Sequence, residues 1–153
     1  MANTFTQVYA QIVFCPKGRA HLIHPNFEDR LFKYITGIVQ DRGQKLIAIN
    51  GMPDHIHIFI GFKPTTQISD LVGDIKTGSS KFIKTNHFLS RDFNWQKGFG
   101  CFTYAHSQID AVARYVMNQK EHHRKKTFRT EYLQFLKKFE VEYDEQYLFE
   151  FYD

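Results

Sequence analysis

The stretch GMPDHIHIFIGF, Gly51 to Phe62, carries two histidines, His55 and His57, one residue apart in an apolar run. Side chains alternate along a strand, so His55, His57 and Phe59 share one face while Ile56, Ile58 and Ile60 share the other. Two residues of strand set the histidine Cα atoms about 6.6 Å apart. Imidazoles at that separation can converge on one metal ion. Two surface histidines that happen to alternate give the same pattern.

A second set of polar residues lies in SQIDAVARYVMNQKEHHRKK, Ser107 to Lys126. At 100° per residue, Gln119 falls about 40° and His122 about −20° from Tyr115. Ile109, Val112 and Val116 fall about 60° to 120° away and form the buried stripe. Tyr115, Gln119 and His122 thus form a polar strip along one edge of the core face. Half-buried packing is the ordinary use of a tyrosine there, but the glutamine and histidine beside it make that account less sufficient. A phenol with a pKa of about 10 becomes a nucleophile when a nearby cation or base helps expose the phenolate. A divalent ion on His55 and His57, with the Gln119 amide oxygen as a third ligand, could also polarise a phosphate oxygen. These parts suit strand cleavage through a phosphotyrosine bond. The 3′-hydroxyl set free could later attack that bond, without ATP.

The elements that must position these groups follow from local pattern. TQVYAQIVFCP reads as a first strand ending at Pro16. HPNFEDRLFKYITGIVQDRG reads as a helix, with Leu31, Ile35 and Ile38 at helical spacing and Gly43 at its end. KLIAING and HIHIFIGF are two strands around an MPD turn. Ser69 and Asp70 open a second helix reaching about Asn86, weakened by Gly73 and Gly78. GFGCFTYA is a fourth strand. This order, βαββαβ, predicts an α+β fold of ferredoxin-like or RRM-like type: an antiparallel sheet with additional C-terminal helices. With helices on one face of the sheet, the isoleucines fit the covered face and the histidines look out from the open one. Ser107 reads as the N-cap of the tyrosine helix, with Asp110 in a variant capping box. That helix is expected over about 107–122, and a last amphipathic helix over about 129–139. One domain is expected over 1–153, with a core at about 5–105 and the last helix and an acidic tail at about 128–153.

The 153 residues, 42% apolar and 16% aromatic, suit one compact domain. No apolar run is long enough to span a bilayer, and the N-terminus has no signal-peptide pattern, so no membrane partner and a cytoplasmic location are expected. Cys15 and Cys101 read as buried free thiols. The formal net charge is +4, unevenly spread. Residues 140–153 hold six acids and no Lys or Arg, leaving 20 basic against 10 acidic residues, or +10, on residues 1–139. A basic body suits a polyanionic partner.

MPDHIHIFI, WQKGFGCF and YVMNQKEHH, in this order, resemble the single-tyrosine HUH transposases, the TnpA enzymes of the smallest bacterial insertion sequences. The resemblance runs over nearly the whole chain. It implies a ferredoxin-like core, a homodimer, single-stranded DNA substrates with hairpins at the element ends, and Mg²⁺ or Mn²⁺ as cofactor. Carried over by residue, the histidine pair is His55 and His57, the nucleophile Tyr115 and the third metal ligand Gln119. Asn118, Glu121, His122 and His123 match the motif without an assigned role. The resemblance also implies that the tyrosine helix of one protomer serves the histidines of the other. CPKGR departs from the family, with Gly18 where a tyrosine is common. Two nitrogens with amide and phosphate oxygens suit Mn²⁺ better than Mg²⁺ on chemistry alone; abundance favours Mg²⁺ in the cell.

Candidate phosphate contacts are Lys17 and Arg19, then Lys76, Lys81 and Lys84 on the second helix, then Arg124, Lys125 and Lys126 after the tyrosine helix. Phe59 could stack on unpaired bases, as could Trp95, for which core packing is the favoured reading. Three other readings remain. A non-catalytic RRM-like module would need its aromatic motif on the third strand, but GFGCFTY lies on the fourth. A two-histidine phosphoesterase would need a second His motif. A domesticated endonuclease acting on host hairpin repeats would carry the same catalytic residues.

Overall fold

The computed structural model describes residues 4–17 and 21–149. Four strands form one antiparallel sheet: β1 (Tyr9–Phe14), β2 (Lys45–Met52), β3 (His55–Gly61) and β4 (Gly100–Tyr104). Their order is β2-β3-β1-β4. Helices α1 (Glu28–Asp41) and α2 (Ile68–Thr85) connect β1 to β2 and β3 to β4. This is the expected βαββαβ arrangement. Gly43, at φ +77°, stops α1 in a left-handed turn. Ile56, Ile58 and Ile60 pack beneath α1 and α2 with Leu31, Ile35, Val39, Leu71 and Ile75.

The opposite face departs from expectation. It is not open: α3 (Ile109–Met117), α4 (Gln119–His122) and α5 (Phe128–Lys138) cover it, making three layers. His55, His57 and Phe59 are fully buried there. Val112 and Val116 of α3 close over Phe59 and Ala48. The helix carrying Tyr115 therefore lies on its own chain's sheet. The apolar side of α5, with Phe128, Tyr132, Phe135 and Leu136, packs over β4, where Phe135 stacks on Phe102 at 4.9 Å. Gly100 makes this approach possible, because a Cβ there would lie 2.7 Å from the Tyr132 hydroxyl. The tail returns as well: Phe149 is buried 4.9 Å from the Tyr132 ring.

Two helix boundaries also differ. Ser107 is not an N-cap. A 3-10 turn over His106–Gln108 precedes α3, Gln108 stands at the N-cap of α3 without a side-chain cap bond, and its Oε1 accepts instead from the Ala105 N–H at 2.9 Å. The tyrosine helix is interrupted at Asn118 (φ −96°, ψ 19°), which separates α3 from α4. Thr127 caps α5 by accepting from the Thr130 N–H at 3.2 Å. Neither cysteine forms a disulfide; Cys15 is buried as expected, whereas Cys101 is only half-buried. Among the described residues no helix is long and apolar enough to cross a membrane.

Candidate metal centre and tyrosine site

Strand β3 delivers His55 and His57 from alternate positions to one buried point. Three further side chains arrive from the covering helices. Gln119 opens α4, and contacts to β2 and α1 hold the junction of α3 and α4 in place. Asn50 Nδ2 donates to the Met117 carbonyl at 2.9 Å, and Lys120 Nζ lies 2.8 Å from Glu28 Oε1. His123 follows α4 directly. Glu131 sits one turn into α5, on its buried side.

The hydrogen-bond partners fix the histidine tautomers. His55 Nδ1 lies 2.7 Å from Asp54 Oδ1. His57 Nδ1 lies 2.5 Å from Gln11 Oε1, whose amide is oriented because Gln11 Nε2 donates to the Tyr104 hydroxyl at 3.0 Å. His123 Nδ1 lies 2.6 Å from the Lys126 carbonyl. All three partners are acceptors, so each Nδ1 carries the proton and each neutral ring turns a lone pair on Nε2 inward.

Those three nitrogens meet oxygens that also cannot donate. Glu131 Oε1 lies 3.0 Å from His57 Nε2, 3.2 Å from His123 Nε2 and 3.5 Å from His55 Nε2. Gln119 Oε1 lies 3.2 Å from His55 Nε2 and 3.0 Å from His123 Nε2. Five acceptor atoms face one point. One proton can relieve part of this repulsion. Burial draws His123 down, but Glu131 and the Lys126 carbonyl outweigh it, so its pKa is raised. A divalent cation satisfies all five. Ligand bonds of about 2.1 Å at about 90–110° place neighbouring donor atoms roughly 3.0–3.4 Å apart, which matches the spacing here. The residues therefore fit a metal ion. Three imidazoles with amide and carboxylate oxygens suit a transition ion such as Mn²⁺ better than Mg²⁺.

Tyr115 joins the cluster through the same carboxylate. Its hydroxyl donates to Glu131 Oε2, and His122 Nε2 lies 3.4 Å from it. Burial and the adjacent Glu131 charge push the Tyr115 phenol well above its ordinary pKa. Burial also holds His57 down, to about 4, and pulls His122 down. Burial pushes Glu131 up, but His57, His123 and His55 more than reverse this and hold it well below the usual carboxylate range. Burial likewise pushes Asp54 up, and the His55 hydrogen bond outweighs it.

The structure thus brings together His55, His57, Tyr115, Gln119 and His122. Asn118 is exposed and serves as the joint between α3 and α4 rather than as part of the cluster. Two residues without an assigned role in the sequence enter it. His123 falls about 80° from Tyr115 at 100° per residue, between Val112 and Val116 in the buried stripe. Glu131 is an acid inside the apolar face of α5, and such a residue is almost always paired when buried.

The candidate DNA contacts separate into groups. Lys76 is tied to its own chain, donating to the Gln96 and Gly98 carbonyls at 2.8 and 2.6 Å. Lys81 and Lys84 are exposed along a groove with Thr77, Ser80 and Asn94. Lys17, Arg124 and Lys125 are exposed, with Arg124 3.5 Å from Glu121. Arg19 lies outside the described residues. Neither aromatic candidate is available for stacking. Phe59 is fully buried; Trp95 is buried edge-on to Phe14 and donates to Ser79 Oγ at 2.9 Å.

Known proteins share both the sequence pattern and the architecture. The family described as "Transposase IS200 like" matches residues 4–119. The ISDra2 transposase TnpA of Deinococcus radiodurans is 21% identical over 120 residues, spanning 75% of this chain and 86% of that protein. A crystal structure of a Deinococcus radiodurans R1 protein assigned as a transposase superposes with a TM-score of 0.62 at 20% identity, covering 76% of this chain and 94% of that one. A REP-associated tyrosine transposase bound to a REP hairpin gives 0.58 at 15% identity, covering 79% and 72%. His123 and Glu131 lie beyond the matched residues, yet the core that precedes them matches well over half of the chain: the protein belongs to the IS200-like transposase family.

Proposed function

We propose that this transposase cuts and rejoins single-stranded, hairpin-bearing DNA through a covalent bond to Tyr115, in a reaction that depends on a divalent metal. The observation that carries the reading is the shared carboxylate: Glu131 contacts the Tyr115 hydroxyl with one oxygen and His57 with the other. A nucleophile and a metal-fitting cluster meet at one buried point. The hairpin substrate is supported by the structural relative bound to a REP hairpin.

In the cutting step the Tyr115 oxygen attacks a backbone phosphorus. The phenol gives up its proton as a Tyr–O–P bond forms at the 5′-phosphate, and the P–O3′ bond breaks, its oxygen taking up a proton to leave as a 3′-hydroxyl. Rejoining reverses the exchange, with a 3′-hydroxyl attacking phosphorus and the tyrosine leaving. The two steps conserve bond number, so neither needs ATP. A divalent ion, Mn²⁺ or Mg²⁺, on His55, His57 and Gln119, with His123 and Glu131, would polarise the phosphate oxygens when bound. Glu131 orients the phenol, and Asp54 and Gln11 hold the two histidine rings in the ligating tautomer.

Excision must hold two element ends, and one chain offers one nucleophilic tyrosine, Tyr115, so the working unit is a homodimer with two sites. Exchange of α3 between protomers would leave the same residues in each site. The deciding experiment is incubation with a labelled hairpin oligonucleotide in Mn²⁺, followed by denaturing electrophoresis. A denaturant-resistant adduct mapped to Tyr115 is expected, and a binding-only protein would form none.

A further inference from the structure

A cavity of about 300 Å³ opens beside Tyr115, between α3, β4 and α5. Tyr104 and Phe135 form aromatic walls; Gln108 and Gln134 border it. Both amide orientations are fixed by neighbours. Gln108 Oε1 accepts from the Ala105 N–H at 2.9 Å, and Gln134 Oε1 accepts from the Lys126 ammonium at 2.8 Å. Each amide therefore keeps its NH₂ group for another partner. The Tyr104 hydroxyl accepts from Gln11, which leaves its own O–H. None of these three donors has a partner among the described residues. The cavity is thus aromatic in its walls and offers hydrogen-bond donors at its edge.

A second cleft, with Asn118, Lys125 and one acid, Glu121, shares His122 and Lys126 with the cavity, so the two adjoin at His122, whose Nε2 lies 3.4 Å from the Tyr115 hydroxyl. A cationic track for the backbone beside an aromatic pocket for a base is the combination that holds single strands. The volume lies at the small end of the roughly 300–1,000 Å³ range for ligand clefts, enough for one base.

We propose that this cavity seats one unpaired nucleobase of the strand being cut, next to the phosphate presented to Tyr115. Donors alone favour thymine, guanine or cytosine, whose carbonyl oxygens accept them, over adenine, whose amino group sets a donor against a donor beside the N1 and N7 acceptors. The inference rests on the single-stranded substrate proposed above, and it makes the protein itself, rather than the DNA hairpin alone, a reader of sequence at the cut.

The test uses hexathymidylate carrying one 5-iodouracil, photo-cross-linked to the full chain and mapped by mass spectrometry. Cross-links are expected on Tyr104, Phe135 or their immediate neighbours. In parallel, the preference for hexathymidylate over hexaadenylate is measured by competition. The Gln108→Ala/Gln134→Ala variant should lose that preference by roughly fivefold for each hydrogen bond removed. Both glutamines are exposed, so the fold is not at risk. No cross-link, cross-links confined to other surfaces, or an unchanged preference in the double variant would overturn the proposal. Adduct formation is scored separately, on the labelled hairpin oligonucleotide in Mn²⁺. Cross-links in the cavity without a Tyr115 adduct would remove the covalent reading and leave the base pocket standing. An adduct with cross-links elsewhere would do the reverse.

Discussion

Glu131 and Tyr115 are hydrogen-bonded across the gap between α5 and α3, and the carboxylate oxygen not used in that bond lies 3.0 Å from His57 Nε2. The proposed nucleophile is thereby linked to the histidine cluster by one side chain. Tyr115→Phe removes the hydroxyl and leaves the ring. The adduct should vanish, while stability falls by only about 1.5–3 kcal/mol, the worth of a hydrogen bond to a charged group. Labelled-oligonucleotide cleavage together with thermal melting checks both.

Removing a carboxylate oxygen that faces three imidazoles should be felt by the ion first. Glu131→Gln keeps the shape of the side chain and loses its charge. Mn²⁺ affinity, read by calorimetry on protein without DNA, should fall at least tenfold. Asp54→Ala leaves every candidate ligand in place but frees the His55 ring, and about 10–100-fold weaker binding is expected. Unchanged affinity in both variants would contradict the five-atom site.

Acid should destabilise the metal-free protein. Buried His57 stays neutral down to about 4, whereas the unfolded chain takes up that proton near 6.5. The unfolded state binds more protons in between, so this contribution is complete above pH 6.5 and is lost as pH falls towards 4, up to about 3 kcal/mol. Glu131, held low in the fold, adds to the loss below its unfolded value of 4.5. His123 opposes both, since its raised pKa stabilises below 6.5 and that contribution fades as pH rises through the folded value. Melting temperatures in chelator from pH 7 to pH 4 should fall, and should fall less in His57→Asn.

The covering position of α3 makes a prediction for mixed dimers. Tyr115→Phe and His57→Ala are each expected to be inactive. With Tyr115 serving the histidines of its own chain, mixed dimers regain no complete site. Recovered cleavage after verified subunit exchange would show that α3 crosses between protomers.

Much of the frame was legible because it is local. Alternation put His55 and His57 on one face of β3, and helical geometry put Gln119 and His122 beside Tyr115. What escaped was tertiary. An open histidine face follows from a βαββαβ core considered alone, but the stripe of Phe128, Tyr132, Phe135 and Leu136 needed a surface, and the sheet supplied it. Once α5 lies there, Glu131 must enter the cluster, and no spacing within α5 announces its partners 74 residues away on β3. The Ser107 cap failed for a different reason: a 3-10 turn over His106–Gln108 takes up the serine, so α3 begins only at Ile109 and Gln108 stands at its N-cap.

The donor atoms of the cluster come from β3, from α4 and its C-terminal edge, and from α5, so an ion bound there would be a cross-link as well as a reagent. It would rivet a strand at the centre of the sheet to the final helix, closing a loop of more than seventy residues. Chelation should therefore register in mechanics before chemistry: amide exchange along α5 should quicken and proteases should find the segment around Thr127, while the four strands keep their protection.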